Sequence, residues 1–199
     1  MIGRKKGYDR DEVLLGAMAL FREHGFAGTS AEMLVQGLGL SRYALYNEFG
    51  SKQGLFDAAL QRYDEQVVSR SFGPLEAPDA GLDEIRALMD YYAEAVHGPA
   101  AGRGCLFCNT AVEFGPLDPS GAGFVQRYFA RISAAFENAL SNAQARGQLG
   151  EEVRPSEEAG FFTASMLGIF VMLRAKAPAP TIESATRIAQ EHLAGLQRR

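Results

Sequence analysis

The chain has 199 residues, 47% of them hydrophobic, and a formal net charge of −4 at pH 7. This length and apolar content predict one packed core, or one core with a small satellite. No apolar stretch follows Met1, and the longest apolar run, residues 161–173, falls short of the roughly 20 residues that a membrane span needs. With two cysteines and no export signal, we expect a soluble cytoplasmic protein in a reducing compartment, without a membrane partner.

Helical periodicity covers almost the whole sequence, and no segment sustains a period-two alternation. Thr29-Ser30 and Ser41 are expected helix starts, and Gly25 is expected to be a left-handed stop. Gly73-Pro74 begins an expected break after the fourth helix. The predicted fold is therefore all-α with about nine helices. We predict these helices at residues 9–24, 29–37, 41–50, 51–70, 82–97, 104–114, 120–146, 155–176 and 181–198.

The first three predicted helices have the pattern of a helix-turn-helix unit, in which a tight glycine-bearing turn precedes a capped third helix. In such a unit the third helix lies in the major groove of DNA, and its N-terminal residues reach base edges. Leu45 and Phe49 are four residues apart and would hold this helix against the core. The predicted DNA-binding residues are Thr29, Ser30, Ser41, Arg42, Tyr43, Ala44, Tyr46, Asn47 and Lys52.

Within this set, we expect Arg42, Tyr43 and Ala44 to face bases, and Tyr46 and Asn47 to reach flanking phosphates. Lys52 would bind a phosphate from the first turn of the next helix. Taken singly, Tyr46 and Lys52 also fit ordinary surface positions and Ser41 an ordinary cap, so it is the ordered combination that favours DNA contact.

The distribution of charge agrees with an anionic partner at the N-terminal end. Residues 1–56 hold seven lysines and arginines against six acidic residues, whereas the remainder holds thirteen against eighteen. Many solvated proteins show an asymmetry of this size. Arg4, Lys5 and Lys6 form either an arm that reaches phosphate or the minor groove, or a solvated tail.

The stretch GFAGTSAEMLVQGLGLSRYALYNEFGSKQGLF, residues 25–56, resembles the N-terminal unit of the TetR family of transcriptional regulators. It carries the family's Gly-aromatic entry, Thr-Ser start, Gly-x-Ser turn, Leu-Tyr-x-x-Phe recognition helix and the lysine that follows. Two positions depart, since the family favours alanine where Val35 and Leu38 stand. The resemblance implies a symmetric homodimer that binds double-stranded DNA at a palindromic operator, with an inducer-binding C-terminal domain.

These expectations divide the chain into two domains. Residues 1–56 would form the DNA-binding domain, with the fourth helix, about 51–70, as a connector. Residues 57–199 would form the domain for ligand binding and dimerisation. An inducer bound among the helices near 82–136 would shift the fourth helix and change the spacing of the two recognition helices.

The C-terminal domain holds more aromatic residues than one small core usually needs, and these residues could form the wall of a pocket for an apolar or aromatic inducer. Aromatic residues at helical spacing are more often plain core. The predicted ligand-binding residues are Tyr91, Tyr92, Cys105, Phe107, Cys108, Asn109, Phe124, Tyr128 and Phe162.

The segment RGCLFCNTAVEFGP, residues 103–116, resembles a Gly-Cys-Leu-x-x-Asn segment of one branch of the family, some members of which sense electrophiles, oxidants or metal through cysteine. Cys105 and Cys108 are three apart and share a helix face, so they could meet a thiol-reactive compound or a soft metal. They could equally be two small buried residues. Asn109 and Glu113, four apart, would orient a ligand or only cap and pair. We predict no resident metal site and no cofactor.

The last two helices fit a dimer interface, as the resemblance implies. Residues 161–173 are apolar on nearly all sides, which is unusual for a surface helix, and small residues recur every fourth position. One buried helix of a monomer would look much the same. The predicted interface residues are Phe161, Ala164, Gly168, Phe170, Ile188 and Leu193.

The sequence therefore favours a ligand-responsive repressor that an inducer releases from its operator. One alternative is a thiol-based redox, electrophile or metal sensor on the same scaffold, using Cys105 and Cys108. Another is a helical adaptor that binds protein rather than DNA. An enzyme is disfavoured because the sequence shows no Ser/His/Asp or Cys/His arrangement, no phosphate-binding glycine loop and no cluster of metal ligands.

Overall fold

The computed structural model describes residues 8–98, 101–114 and 119–198, and the side chains of all of these except 119–122. Helices follow one another along the described chain, which holds no β-strand beyond one isolated bridge between Leu149 and Gln197. The all-α prediction is thus confirmed. The helices are α1 Arg10–Gly28, α2 Ala31–Leu38, α3 Arg42–Phe49, α4 (Lys52–Tyr63, a π-helical stretch Asp64–Val68, and Ser69–Glu76), α5 Leu82–Glu94, α6 Leu106–Phe114, α7 Pro119–Ala145, α8 Pro155–Arg174 and α9 Ala179–Gly195.

The starts of the first helices follow local capping chemistry. Ser30 accepts a hydrogen bond from the Met33 amide, and Ser41 accepts one from the Ala44 amide, so each hydroxyl satisfies a free N–H of its helix. Gly25 has φ 74°, which breaks α1 where the sequence predicted its stop; one further helical turn then follows. These short-range signals begin α2 and α3 at the two helix starts that the sequence predicted.

Helix α4 is longer than predicted. It runs through Gly73-Pro74, where the sequence predicted a break, and ends at Glu76. A proline inside a helix costs one hydrogen bond and crowds the preceding turn, but Phe72 and Leu75 on either side of it are buried. The end of the helix is also satisfied from α7, because the Asn138 amide donates to the carbonyls of Leu75 and Ala77 at 2.8 and 2.9 Å. Packing therefore outweighs the local signal.

A π-helical stretch lies in the middle of α4. Its backbone hydrogen bonds join residues five apart, so the α-helical pattern of residues four apart is interrupted there. Arg131 of α7 holds this stretch, because its guanidinium lies 3.0 Å from Asp64 and 2.5 Å from Glu76. A hydrogen bond from Arg131, opposed in part by burial, lowers the pKa of Glu76. One cation thus fixes both the π-helical stretch and the C-terminal end of α4.

The C-terminal core lies between α7 and α8, which pack along their lengths, while α9 covers α5 and α8. Phe136 of α7 and Phe162 of α8 are fully buried and stack at 5.7 Å. Helix α8 is the one helix of the described chain that is long and apolar enough to span a membrane, with a mean hydropathy of 1.2. It buries six side chains in this core and serves as a packing helix.

The turn between α2 and α3 accommodates Leu38, one of the two residues that are larger than in the family pattern. A Cβ added at Gly16 would lie 2.7 Å from Leu38 Cδ2, so the missing side chain at Gly16 leaves room for the leucine. Gly37, near the end of α2, packs closely against Leu20, because a Cβ added there would lie 3.0 Å from Leu20 Cδ1. The glycine opposite the turn thus offsets the added volume of Leu38.

We expect Gly104→Ala to lower the free energy of unfolding by about 1–3 kcal/mol, because Gly104 has φ 61° and an added Cβ would lie 2.8 Å from the Phe170 carbonyl. Gly123→Ala is the matched control. Gly123 is helical and exposed, and its Cβ would meet only the tip of Arg127, so this change should be neutral or stabilise by up to about 1 kcal/mol. Urea unfolding of both variants checks the difference, and equal midpoints would contradict it.

Candidate nucleic-acid interface and effector cavity

Helix α3 presents its N-terminal end to solvent. Leu45 is fully buried and fixes the inner face of the helix, while Arg42, Tyr43 and Asn47 are exposed. Tyr43 is 82% exposed, which is unusual for a large aromatic side chain. Arg42 lies 3.2 Å from Glu32, an exposed pair that costs little to break. This end of α3 is thus free to meet another surface, as the sequence predicted.

The remaining predicted residues of α3 lie closer to the core. Ala44 and Tyr46 are half-buried, and Ser41 is exposed as the cap. The one carboxylate of the helix, Glu48, accepts a hydrogen bond from the Tyr8 hydroxyl at 2.9 Å and lies 3.4 Å from Arg10. These contacts reduce the repulsion that this carboxylate would exert on a nearby phosphate.

Thr29 is placed differently from the prediction. Its side chain is fully buried and its hydroxyl donates to the Gly25 carbonyl, so the prediction that it contacts DNA is wrong, whereas the adjacent Ser30 stays exposed. The Thr29 hydroxyl thus closes the turn between α1 and α2 by bonding back to the carbonyl four residues earlier. The sequence signal for a helix start was correct, but it carried no information about which side chain faces outward.

Lys52 also has a structural role that the sequence did not reveal. Its ammonium donates to the carbonyls of Phe26 at 2.7 Å and Thr29 at 3.0 Å, and it lies 4.2 Å from the centre of the Phe26 ring. Lys52 therefore caps the C-terminal end of α1 from the first turn of α4. One of its three N–H donors remains for a phosphate, so its DNA contact stays a prediction.

The same end of α1 is bound by the C-terminal half of the chain. The Glu113 carboxylate of α6 accepts from the amides of Phe26 at 2.8 Å and Ala27 at 2.5 Å. Arg174 of α8 donates to the Glu23 carbonyl at 2.9 Å. Phe114 of α6 packs against Phe26 at 5.2 Å. We call this set of contacts the α1 junction.

Asn109 belongs to the α1 junction. Its amide donates to the carbonyls of Arg22 at 3.4 Å and Arg103 at 3.1 Å, so it links α1 to the start of α6. The sequence left open whether Asn109 and Glu113 orient a ligand or cap and pair. The observed contacts correspond to capping and pairing.

Six of the nine predicted ligand-binding residues line two separate cavities, whereas Cys108, Asn109 and Phe162 line neither. Tyr91, Tyr92 and Cys105 line a cavity of about 520 Å³ that also contacts α1 and α4, which we call the α1 cavity. Phe107, Phe124 and Tyr128 line a second cavity of about 540 Å³ beside Arg131. The sequence marked these residues as a possible pocket wall, but it did not show what lies opposite each one.

Phe162, Phe170 and Leu193 are placed differently from the prediction. Phe162, predicted to bind ligand, is a core residue stacked on Phe136. Phe170, predicted at the dimer interface, is buried and instead lines the α1 cavity, with its ring 4.8 Å from that of Tyr92. Leu193, predicted at the same interface, is fully buried within its own chain. Phe162 and Phe170 lie on the inner side of α8, which is apolar on nearly all sides, so the sequence alone does not assign its faces. Leu193 lies on the apolar stripe of α9, which packs within the chain.

Several residues of the α1 cavity were not predicted. Arg22 of α1, Tyr63 and Arg70 of α4, and Arg103 line it together with Cys105. The Arg22 guanidinium donates to the Gly104 carbonyl and lies 5.5 Å from the centre of the Tyr63 ring. Arg22 is in the DNA-binding half, and no local pattern marks a residue that reaches across 82 positions of sequence.

The two cysteines lie beside one another in the reduced state, and both are buried. The Cys105 sulfur is 3.1 Å from the Tyr128 hydroxyl. Burial opposes ionisation of the Cys105 thiol, but hydrogen bonds from Cys108 and Tyr128 lower its pKa to about 6. The hydrogen bond to Cys105, and then burial, raise the pKa of Cys108. The pair thus favours one thiolate on Cys105 and one thiol on Cys108.

An exposed apolar face runs along α8 and α9. Phe161 is 42% and Ile188 50% exposed, and Ala164 and Gly168 lie between them, partly open to solvent. Cβ atoms added at Gly160 and Gly168 would meet nothing within 4 Å, so this face is open along α8. The four predicted interface residues Phe161, Ala164, Gly168 and Ile188 therefore share one outer face.

Comparison with protein-family models gives two matches. Residues 13–59 match the family described as bacterial regulatory proteins, tetR family, and residues 81–189 match the tetracyclin repressor-like C-terminal domain. The chain is also similar to the helix-turn-helix-type transcriptional regulator YezE of Bacillus subtilis, with 32% identity over 84% of this chain and 87% of that protein. It is 29% identical to the repressor ComR of Escherichia coli over 86% of this chain and 82% of ComR.

Solved structures show the same fold. A cysteine-substituted form of the TetR family regulator CifR in complex with operator DNA superposes with a TM-score of 0.84 at 23% identity, covering 95% of this chain and 98% of that one. The reduced form of NemR from E. coli superposes with a TM-score of 0.79 at 19% identity, covering 95% and 96%. At these identities the likeness concerns the fold.

We expect alkylation of Cys105 by iodoacetamide in the native protein to rise through a midpoint near pH 6, because the thiolate is the reactive form and its pKa is lowered to about 6. In Cys108→Ala the midpoint should move upward, since the hydrogen bond that stabilises the thiolate is lost. Mass spectrometry of the labelled peptide at about pH 5–9 measures both, with Cys105→Ser as the control. A native Cys105 that is unreactive across this range would show an inaccessible core thiol.

Proposed function

The chain belongs to the TetR family of transcriptional regulators, and from this membership we propose that it is a homodimeric repressor which a small effector releases from a palindromic operator. The observation that carries the proposal is the exposed N-terminal end of α3, where Arg42, Tyr43 and Asn47 stand in solvent on a helix anchored by the buried Leu45. The relative ComR is named a repressor, which supports repression rather than activation.

DNA contact would use two kinds of group. Arg42, Tyr43 and Ala44 at the start of α3 would reach base edges, while Ser30, Ser41, Tyr46, Asn47 and the free donor of Lys52 would bind phosphates. Two copies of α3 in successive major grooves require a separation of roughly 34–36 Å. The CifR structure was determined on operator DNA, which supports this docking for the shared fold.

A homodimer would form through the outer face of α8 and α9. Phe161 and Ile188 would become buried against the partner. The small residues Gly160, Ala164 and Gly168 of α8 would let the partner helix approach closely. Exposed apolar side chains arranged along two adjacent helices are typical of protein interfaces.

Effector control would operate through the α1 junction. A ligand in the α1 cavity touches Arg22 of α1, whose backbone also accepts from Asn109 of α6. The ligand can shift the protein away from DNA only by binding one spacing of the recognition helices more tightly than the other. The junction gives such a ligand a direct contact with the DNA-binding half.

Thiol sensing is the second candidate, favoured by the hydrogen-bonded pair of Cys105 and Cys108 beside Tyr128. A thiolate that lines the α1 cavity would react with an electrophile that enters it. Among the described residues no group of three or more His, Cys, Asp or Glu side chains is placed to hold a metal ion. Electrophile or oxidant sensing is therefore the form of this candidate that the geometry supports.

The remaining parts of the proposal follow from the family. We propose that the protein acts in the cytoplasm and has no catalytic activity, since a DNA-binding regulator needs neither export nor chemistry. An adaptor that binds protein through α3 is the rival interpretation. Recovery of a DNA sequence motif separates the two.

Selection of bound duplexes from a random library at about 150 mM salt tests the proposal, because this salt suppresses non-specific phosphate binding. We expect a palindrome.

On the recovered operator, Tyr43→Ala should weaken binding about tenfold while leaving thermal stability unchanged, since Tyr43 is largely exposed and buries little surface in the chain. Val112→Ala, also exposed but on α6, is the matched control. Enrichment of no motif would contradict the regulator, and an unaffected Tyr43→Ala would remove this residue from the interface.

We expect Ile188→Glu to convert a dimer into a monomer at micromolar concentration, because it places a carboxylate in the apolar α8–α9 face. Light scattering should show the mass halved, and operator binding should weaken because the two half-sites are no longer bound together. Val112→Glu carries the same charge outside that face and should stay dimeric. A wild-type protein that is already monomeric would contradict the proposed interface.

A further inference from the structure

We propose that the α1 cavity is built for an organic acid, with a carboxylate head bound by Arg22, Arg70 and Arg103 and an apolar body against the neighbouring aromatic residues. The inference rests on the proposed function, because it names the chemical class of the effector. Its first support is the charge of the lining. Three guanidinium groups line the cavity, and among the described residues no aspartate or glutamate does.

None of these arginines is paired with a carboxylate within the described residues, and the one other group of the lining that favours a negative charge is the Cys105 thiol. Arg22 donates only to the Gly104 carbonyl, and neither Arg70 nor Arg103 has a side-chain ion pair there. Arg22 lies deeper, half-buried, while Arg70 and Arg103 are exposed at the mouth. Three like charges around one cavity repel one another, and an anion between them removes that cost.

A buried donor without an acceptor points to the same ligand. The Nε atom of Arg22 is buried and has no hydrogen-bond partner among the described residues, although its Nη2 is satisfied by Gly104. An unpaired N–H of a charged group is costly out of water, and native structures seldom leave one. A carboxylate oxygen is the acceptor that a guanidinium binds best, often with both N–H groups of one edge.

The rest of the lining suits an apolar body. Tyr92, Phe170 and Leu173 line the same cavity. A neighbouring groove of about 590 Å³ shares Arg70, Ser71 and Tyr91 with it and continues between α4 and α5. Apolar side chains and two carboxylates, those of Asp83 and Glu84, line this groove. A ligand with its head at the arginines therefore has room to extend along the apolar part of the groove.

The head of such a ligand would connect two halves of the protein. Arg22 belongs to α1, whereas Arg70 and Arg103 belong to α4 and to the segment before α6. A carboxylate that bridges them changes the contacts of α1 without touching α3. This is the differential interaction that coupling between effector and operator requires.

Titration calorimetry with 3-phenylpropionate, and with its uncharged analogue 3-phenylpropanamide, tests the inference at low chloride. We expect the acid to bind at millimolar concentration or tighter, and the amide at least tenfold more weakly. Arg70→Gln and Arg103→Gln should each weaken the acid about tenfold, because each removes a charged hydrogen bond to the ligand from an exposed side chain. Arg154→Gln, at the opposite end of α8 from the cavity, is the matched control.

One further measurement and one further variant distinguish anion binding from thiol chemistry and from loss of folding. Mass spectrometry after the titration should show Cys105 unmodified, whereas a reaction at the thiol would add the mass of the ligand. Arg22→Gln should weaken the acid most, with its unfolding midpoint measured in parallel because Arg22 also bonds Gly104.

Equal binding of acid and amide, binding of neither, or acid binding that is indifferent to the arginine substitutions would each overturn the inference. These outcomes are separable from failure of the regulator. A wild-type protein that selects a palindrome but fails the titration remains a repressor with another effector. One that binds the acid through its arginines but selects no DNA keeps the cavity and loses the proposed regulation.

Discussion

The C-terminal end of α1 joins the two halves of this protein, because its backbone groups are paired by side chains of three other helices. A helix end leaves unpaired amides and carbonyls, and these need partners. Lys52 of α4 binds two of the carbonyls, Glu113 of α6 binds two amides, and Arg174 of α8 binds a third carbonyl. Gly25, with φ 74°, interrupts α1 between the Glu23 carbonyl and the amides of Phe26 and Ala27 that these side chains bind.

This shared set of hydrogen bonds limits how the two halves can move. A displacement of α6 that opens the Glu113 contact leaves two amides of α1 without an acceptor, so α6 and the end of α1 are expected to move together. The α1 cavity lies directly behind this connection, with Arg22 of α1 in its wall. An effector bound in this cavity, as we propose, would therefore contact the DNA-binding half directly.

The parts of this structure that the sequence predicts are those with short-range causes. The caps Ser30 and Ser41, the glycine stop at Gly25 and the buried Leu45 each depend on neighbours within a few residues, and together they give the helix-turn-helix unit. Helix α4 is the exception, because contacts from Asn138, more than sixty residues away, stabilise it beyond a proline.

The parts of the site that the sequence did not reveal likewise depend on long-range contacts. Lys52 was expected to bind a phosphate. Its bonds to two carbonyls at the end of α1 were not expected, because those carbonyls are more than twenty residues away in the sequence.

A chain of net charge −4 can still present a DNA-binding surface, because pairing decides which charges act. Near α3, Glu48 is held by Tyr8 and Arg10, and Glu32 lies against Arg42. Paired carboxylates contribute little field at the distance of a phosphate, particularly at physiological salt. The surplus of acidic residues lies in the C-terminal half, where no phosphate approaches in this mode of docking.

Within that half the α1 cavity is locally positive, with three arginines and no carboxylate among the described residues of its lining. The same principle of local pairing thus accounts for a DNA-binding end on an acidic protein and for a cationic cavity inside its acidic domain.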